Sequence, residues 1–216
     1  MTGWELSVSG LQILSNCDVY ITGSNSKMLS SELATHISGR YVEVEVMPFL
    51  FAEHLEMYPS DDIEGRFLQF LMYGSLPAID SDYDRRFNEG LFNTVIVKDI
   101  LSHMRTDDVS KLTAIARFLF SNIGNKTNMD NIADASGVSN PTVSKYVDEM
   151  CKAFLFYYAE RYDIVGKKIL KTNGKYYASD LGMGMSYSVC HLQGISADLW
   201  RMLSISNSFA EVMRLG

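Results

Sequence analysis

The run Gly137-Val138-Ser139-Asn140-Pro141 is the feature that most constrains how this chain can fold. Glycine ends a helix readily because it adopts the left-handed backbone conformation, whereas serine and asparagine cap helix starts and proline is favoured in the first turn. The run therefore predicts a short turn between two helices. The first extends from Asn128 to Ala135, and the second begins at Asn140.

The segments around this turn complete a recognisable order of elements. A helix is predicted over Lys111 to Ser121, because its apolar residues recur at helical spacing. Phe154 to Tyr162 is aromatic and strand-like, and Lys168 to Ala178 contains Asn173-Gly174 between two extended runs, which predicts a tight hairpin turn. A helix-turn-helix followed by a hairpin is the order of a winged helix. We therefore expect a winged helix-turn-helix domain over residues 109–183.

The front half has a different pattern, which predicts part of an α/β domain over residues 1–58. Cys17 to Thr22 is a short β-branched run followed by turn residues and a helical spacing of apolar side chains, and Arg40 to Val46 alternates apolar and acidic residues like a strand. Helices are predicted over Leu50 to Met57, Ile63 to Tyr73 and Arg85 to His103. We assign residues 59–108 to a helical lid and connecting helix, so the whole chain is expected to be mostly α.

Composition excludes several classes of protein. Of 216 residues, 47% are apolar and 21% are charged, which is typical of a packed globular chain. No apolar run reaches the roughly 18 residues that span a bilayer, and no signal peptide is present, so we expect a cytoplasmic protein without a membrane partner. Cys17, Cys151 and Cys190 are widely spaced, and the four histidines lack ligand spacing, so neither disulfides nor a metal site is predicted.

Charge is distributed unevenly along the chain. Residues 1–108 hold 7 Lys and Arg against 17 Asp and Glu, whereas residues 109–180 hold 10 against 7. An acidic front half repels polyanions, while the mildly basic second block offers a local footprint for nucleic acid.

Phosphate-binding motifs are missing from the sequence. A P-loop needs the string GxxxxGK[ST], which does not occur in these 216 residues; Gly124-Asn125-Lys126-Thr127 is the nearest string and lacks the adjacent Gly-Lys pair. No apolar strand ends in Asp-Glu to hold magnesium. We therefore expect the isolated chain to hold no cofactor and not to hydrolyse ATP.

Three longer strings resemble a known family. YITGSNSKMLSSELATHISGRYVEVEVMPFLFAEHL (20–55), FLMYGSLPAI (70–79) and YYASDLGM (176–183) resemble the bacterial and archaeal AAA-type ATPases that carry a C-terminal domain of unknown function. The resemblance covers most of residues 10–183. It implies an ATP hydrolase using ATP and magnesium when intact, and a P-loop and acidic strand upstream of this point. The chain thus looks like an N-terminally truncated member.

The same resemblance implies roles for four front-half residues. Thr22, Ser24 and Asn25 resemble the sensor segment that contacts the terminal phosphate and the attacking water, with Asn25 the strongest candidate. Arg40 resembles an arginine finger, which neutralises charge developing on a phosphoryl group bound by a neighbouring subunit. The alternative is structural: residues 23–26 form only a strand-to-helix turn, and Arg40 only begins an exposed strand.

The winged-helix region contains the second set of candidate residues. Small polar and basic side chains on the first turns of a recognition helix suit phosphates and base edges, and the hairpin lysines suit a wing that contacts the nucleic-acid backbone. These candidates are Asn140, Thr142, Ser144, Lys145, Lys168, Lys171 and Lys175. The alternative is that the winged helix docks a protein and that its lysines only discourage edge-to-edge aggregation.

Two functions follow from this sequence. The first is a C-terminal fragment of a AAA-type ATPase with a regulatory or binding role, which acts only when a P-loop is supplied by a missing segment or another subunit. The expected protein partner is a second copy of the chain or that subunit. The second is a winged-helix protein that binds nucleic acid, DNA being the expected partner, or that docks a protein. Residues 184–216 resemble the truncated start of a nuclease-like module, and we expect them to be poorly packed.

Overall fold

A computed structural model describes residues 4–11, 13–14, 16–23, 41–77, 85–94, 100–104, 108–164, 166–180 and 182–184. Within these ranges the chain forms eight α-helices and one pair of β-strands. In chain order they are α1 (Trp4–Leu11), α2 (Phe51–Met57), α3 (Ile63–Tyr73), α4 (Arg85–Thr94), α5 (Ser102–Met104), α6 (Val109–Ser121), α7 (Met129–Ser136), α8 (Asn140–Lys152), β1 (Phe156–Asp163) and β2 (Lys168–Ala178).

The predicted turn between two helices is confirmed by the caps of α7 and α8. The Asn128 side chain accepts a hydrogen bond from the Asn131 N–H at 2.9 Å and so caps the start of α7. Gly137 adopts φ 66° and ψ 26°, the left-handed conformation that ends a helix. Pro141 lies in the first turn of α8, as expected. The helix-turn-helix is therefore encoded locally.

The two strands form an antiparallel hairpin, but its turn is not where the sequence predicted it. β2 runs without interruption through Asn173-Gly174, and the chain reverses between the end of β1 at Asp163 and the start of β2 at Lys168, with Lys167 at φ 46°. The register pairs Ala159 with Lys175 and Arg161 with Leu170, so four residues of β2 stand opposite one residue of β1. Asn173-Gly174 belongs to this bulge rather than to the turn.

A contact from outside the hairpin explains why the Asn-Gly pair lies in a strand. The Thr127 N–H donates to the Gly174 carbonyl oxygen at 3.1 Å, and Lys126 forms an antiparallel bridge with Lys175. The segment before α7 thus pairs with the bulged part of β2. Tertiary pairing of this kind overrides a local turn preference, because it satisfies backbone groups that a turn would leave to solvent.

One hydrophobic core joins α4 to the hairpin. Phe92 and Phe120 pack with their ring centroids 5.8 Å apart, and Phe120 packs on Phe156 at 4.6 Å. The same cluster contains Ile100 before α6 and Met150 near the end of α8, so residues on both sides of position 108 share it. The three helices and the antiparallel pair have the order on which the winged-helix prediction rests, and that fold assignment remains a prediction.

Two strands predicted in the front half are wrong. Residues 17–22 and 41–47 are extended or irregular and form no strand in the described part of the chain. Val42, Val44 and Val46 are 76–88% exposed despite their alternation with glutamates. Alternation shows that a segment suits a sheet, but a strand also needs a neighbouring backbone, and the described residues place none beside it. The helix predicted after residue 27 lies outside the described residues.

A buried carboxylate joins the end of α3 to the end of β2. Asp180 is 2% exposed, and its Oδ2 accepts hydrogen bonds from the Ser75 N–H at 2.7 Å and the Ser75 hydroxyl at 3.0 Å. Its Oδ1 accepts from the Met183 N–H at 3.0 Å, and the Gly182 N–H also donates. Burial raises the pKa of Asp180, while these donors oppose that shift.

Glycines on both sides allow this close approach. Gly74 adopts φ 95°, and a Cβ there would overlap the Asp180 carboxylate, while a Cβ at Gly182 would overlap the Tyr73 carbonyl oxygen. Ser75 also accepts a hydrogen bond at its carbonyl from the Phe49 N–H at 3.0 Å. We call Gly74, Ser75, Asp180 and Gly182 the GS–D junction. It brings together two of the strings that carry the family resemblance.

Asp180→Asn should destabilise the chain by about 1–3 kcal/mol. A carboxamide has one acceptor oxygen where the carboxylate has two, so its NH2 group would face an N–H or O–H donor at the GS–D junction. Urea unfolding followed by circular dichroism would measure the change. Asp134→Asn, at an exposed position of α7, is the matched control and should change stability by less than about 0.5 kcal/mol. Equal effects of the two substitutions would contradict a special role for Asp180.

Candidate nucleic-acid interface

The first turn of α8 presents the polar residues that were predicted to read nucleic acid. The Ser139 and Thr142 hydroxyl oxygens lie 2.9 Å apart and share a hydrogen bond. The Asn140 amide donates to the Asp130 carboxylate of α7, while Ser144 and Lys145 are exposed. The structure therefore brings these side chains to one helix end, but Asn140 is already engaged by an acidic partner.

The helix pair that carries this turn is acidic. Residues 128–152 contain two lysines against four Asp and Glu residues. Lys152 is held by Glu149, with N–O 2.9 Å, and by Asp148, so much of its charge is neutralised within α8. Phosphates are repelled by a surface of this sign. The helix pair is a poorer nucleic-acid surface than its sequence motif indicated.

The basic charge lies on the hairpin instead. Residues 156–178 contain five Lys and Arg residues against two Asp and Glu residues. Arg161 and Lys167 are exposed, and Lys175 is half-buried beside the bridge with Lys126. The structure describes the backbone of Lys168, which pairs with Asp163, and of Lys171, which lies in the bulge. The predicted hairpin lysines are thus spread along β2 rather than gathered at its tip.

Sequence reasoning missed an exposed aromatic and aliphatic surface on the same hairpin. Tyr158, Tyr162 and Ile164 are 38%, 58% and 81% exposed, and Ile169, opposite Tyr162, is 58% exposed. We call these four residues the tyrosine face. Its signal was present in the alternation of Tyr158, Glu160 and Tyr162 along β1, because alternate residues of a strand share one face.

The ring of Tyr158 packs against two neighbours on β2. It lies 4.9 Å from the buried ring of Tyr176, and a Cβ on Gly174 would overlap it. Because Gly174 has no side chain, the Tyr158 ring can lie directly against the backbone of β2. Tyr157, on the opposite face, donates its hydroxyl to Glu45 at 2.7 Å; burial, followed by this acceptor, raises its pKa. That bond ties the front segment to the base of the hairpin.

The predicted nucleotide contacts are only partly within the described chain. Thr22 is exposed and lies in a segment without regular structure. Ser24, Asn25 and Arg40 lie outside the described residues, so their sensor and finger roles remain predictions, as does the predicted module at 184–216. Among the residues that are described, no cluster of His, Cys, Asp and Glu could hold a metal, and no helix is long and apolar enough to cross a membrane.

Comparison with known families accounts for most of the chain. Residues 64–198 match the family described as "Domain of unknown function (DUF8612)". The chain belongs to the DUF8612 family. Residues 1–55 match the family described as "AAA domain". The DUF8612 protein is therefore related to AAA-type proteins through its front quarter, while truncation before this point remains a prediction.

Relatives of the DUF8612 chain occur in a bacterium and an archaeon. A protein of Haemophilus influenzae, called only "Uncharacterized protein", is 36% identical over 193 residues, which cover 84% of this chain and 48% of the relative. A second uncharacterized protein, from Methanocaldococcus jannaschii, is 22% identical over 164 residues, covering 68% of this chain and 36% of that protein. The chain spans half or less of the length of both. No solved structure matches it.

Gly174→Ala should displace the Tyr158 ring, because the added methyl group overlaps the far end of that ring. The ring is 38% exposed and can move toward solvent, so the DUF8612 chain should lose no more than about 1 kcal/mol of stability. Near-ultraviolet circular dichroism and urea unfolding would report both effects. Gly90→Ala is the control: nothing lies within 4 Å of its Cβ. Since Gly90 is in a helix, alanine there should be neutral or stabilising by up to about 1 kcal/mol. An unshifted tyrosine spectrum in Gly174→Ala would contradict the packing described.

Proposed function

We propose that this chain is a binding and regulatory part of a AAA-type ATPase-related protein, and that its hairpin contacts nucleic acid. The observation that carries the proposal is the separation of charge within the second half. The hairpin is basic while the neighbouring helix pair is acidic. Lys and Arg side chains on the hairpin can neutralise phosphates, and the release of the counterions bound to those phosphates dominates nucleic-acid affinity.

The proposed contact differs from the usual binding mode of a helix-turn-helix. Asn140 donates to Asp130, and the Ser139 and Thr142 hydroxyls bond to each other, so these groups would have to exchange partners before they contact bases. Arg161 and Lys167 are exposed and face no such exchange in the described structure. We therefore assign the backbone contacts to the hairpin. Binding should be weak and tolerant of sequence, because few cations contribute and the front half is acidic.

The regulatory part of the proposal rests on the front segment. Residues 1–55 match the AAA domain, yet no P-loop string occurs in the sequence. We propose that this segment completes a nucleotide site together with a P-loop supplied by a segment outside these 216 residues or by another subunit, Arg40 acting as the finger and Thr22, Ser24 and Asn25 as the sensor. The Tyr157–Glu45 hydrogen bond joins this segment to the hairpin, and the hydrogen bond from the Phe49 N–H to the Ser75 carbonyl joins it to the end of α3.

The isolated chain should bind duplex or single-stranded DNA weakly at low salt, and Lys168→Gln with Lys171→Gln should weaken that binding. For every phosphate that the variant no longer neutralises, the negative slope of log K against log salt should become shallower by about 0.9 for a duplex and about 0.7 for a single strand. Fluorescence anisotropy at a series of salt concentrations measures both quantities. The control is Lys111→Gln with Arg117→Gln, which removes the same formal charge from exposed positions of α6, although Lys111 also pairs with Asp108 at 2.7 Å.

The two double variants separate a local contact from general attraction. An equal loss of affinity in both would show that only net charge matters and would contradict the hairpin assignment. No binding by the parent chain at low salt would remove the nucleic-acid proposal. Protein docking by the helix-turn-helix would then be the better account, and its acidic surface would favour a basic partner.

The chain alone should not turn over ATP, because its sequence contains neither a P-loop string nor an apolar run that ends in Asp-Glu to hold magnesium. Phosphate release measured over hours with ATP and magnesium should equal that of a buffer blank. Release above the blank that disappears in Arg40→Ala would contradict this expectation, because it would show a complete site within these 216 residues.

A further inference from the structure

We propose that Lys126, Lys175 and Arg161 together bind a phosphate of a nucleic-acid backbone. This inference rests on the proposed function. It selects the face of the hairpin that the nucleic acid contacts, and it adds a residue from outside the hairpin. That residue is Lys126, which belongs to the 124–127 string that lacks the spacing of a P-loop.

The strand register places cations of the hairpin on the side away from its exposed tyrosines. Alternate residues of a strand point to opposite faces, so Ala159 and Arg161 lie on the side of β1 opposite to the tyrosine face. Lys175 pairs with Ala159 and therefore shares the face of Arg161. Glu160 lies on the same side as the tyrosines. We call the face that carries Arg161 and Lys175 the basic face.

A third segment adds Lys126 to the basic face. Lys126 forms an antiparallel bridge with Lys175, and the Thr127 N–H donates to the Gly174 carbonyl oxygen at 3.1 Å. A hydrogen bond from the residue after one partner to the residue before the other is typical of a non-hydrogen-bonded pair. In such a pair the Cα atoms are about 4.5 Å apart and the side chains are close together. The two lysines therefore project side by side from one face.

The three cations lie around a small side chain. Ala159 stands directly opposite Lys175, and Arg161 is two residues further along β1, about 6.6 Å away at a rise of 3.3 Å per residue. Ala159 carries only a methyl group, so it does not fill the space between the longer side chains. Lysine and arginine have long stems with several N–H donors each, so the three can converge on one phosphate.

The chain itself does not neutralise these cations. Ion pairs within the described ranges belong to Lys111 and Lys152, and none of them lies on the basic face. Glu45 lies at the other end of this face, where its carboxylate accepts the Tyr157 hydroxyl. Like charges directly opposite each other on neighbouring strands are destabilising. The two facing lysines thus lower the stability of the free chain, and a bound anion would relieve their repulsion.

A polyanion suits the basic face better than a small free anion. Lys126 and Arg161 are exposed and Lys175 is half-buried, so the site is open to solvent. On an open surface salt screens the attraction for a single small anion. A polymer instead gains from the release of counterions at every phosphate contact. Phosphate contacts position a protein on nucleic acid without reading sequence, which agrees with the sequence-tolerant binding proposed for the hairpin.

Lys126→Gln should weaken binding of a fluorescein-labelled DNA duplex and make the negative salt slope shallower by about 0.9. Between about 50 and 200 mM salt, the parent should therefore lose about three- to fourfold more affinity than the variant. Lys126→Arg keeps the charge and should keep the slope. Arg117→Gln, which removes an exposed charge from α6, is the matched control and should leave the slope unchanged. A parental slope in Lys126→Gln, or an equal change in Arg117→Gln, would overturn the inference.

The facing lysines predict an opposite effect on stability. Without nucleic acid, Lys126→Gln should raise the urea midpoint at low salt, because it removes the repulsion from Lys175. The rise should shrink at about 1 M salt, where the Debye length is about 3 Å. A lysine that only protects a sheet edge would behave differently: Lys126→Gln would aggregate, as measured by light scattering, and would keep the parental affinity. That result would also overturn the inference.

Two comparisons separate this inference from the proposed function and from a free anion. Loss of affinity in Lys168→Gln with Lys171→Gln, but not in Lys126→Gln, would overturn the inference and leave hairpin binding intact. Absence of all binding by the parent chain would instead refute the proposed function itself. Replacing chloride by inorganic phosphate at equal ionic strength should not raise the urea midpoint of the parent. A rise that Lys126→Gln abolishes would assign the site to free phosphate and overturn the assignment to a nucleic-acid backbone.

Discussion

The structure depends on one buried carboxylate. Asp180 is almost wholly removed from water, which costs several kcal/mol for an ion unless its oxygens receive hydrogen bonds. Its donors come from Ser75, Gly182 and Met183, two of which follow it closely in sequence while Ser75 is 105 residues away. A group that needs distant donors fixes the geometry of both segments. The end of β2 and the end of α3 can therefore adopt few relative positions.

This constraint reaches the proposed binding surface through β2. The strand ends at Ala178, two residues before Asp180, and the Ser179 N–H donates to the Leu155 carbonyl oxygen at 3.1 Å. The base of the hairpin is thus fixed on both strands, while Tyr162 and Ile164 project from its other end. A rigid base with an exposed tip is a favourable arrangement for binding, since the scaffold does not have to reorganise.

The sequence predicted the elements whose signals are local and missed those that depend on distant partners. Asn128, Gly137 and Pro141 specify caps by their own chemistry, so the helix-turn-helix was predictable. The turn of the hairpin was predicted at the wrong place because the Gly174 carbonyl accepts a hydrogen bond from Thr127, which is distant in sequence. For the candidate site, the excess of Lys and Arg in the second half of the sequence correctly indicated that the hairpin is basic. The engagement of Asn140 by Asp130 and the exposure of Tyr162 depend on three-dimensional packing, which composition does not contain.

Gly74 and Gly182 have a consequence for how this family can vary. Each glycine leaves a gap that backbone or carboxylate atoms from the other segment occupy, so a side chain at one position has room only if the opposite segment also changes. Ser75 and Asp180 are coupled in the same way, because either one alone leaves a buried polar group without its partner. Substitutions at these four positions should therefore be inherited together. The sequences of residues 70–79 and 176–183 would then change together among relatives, although about a hundred residues separate them.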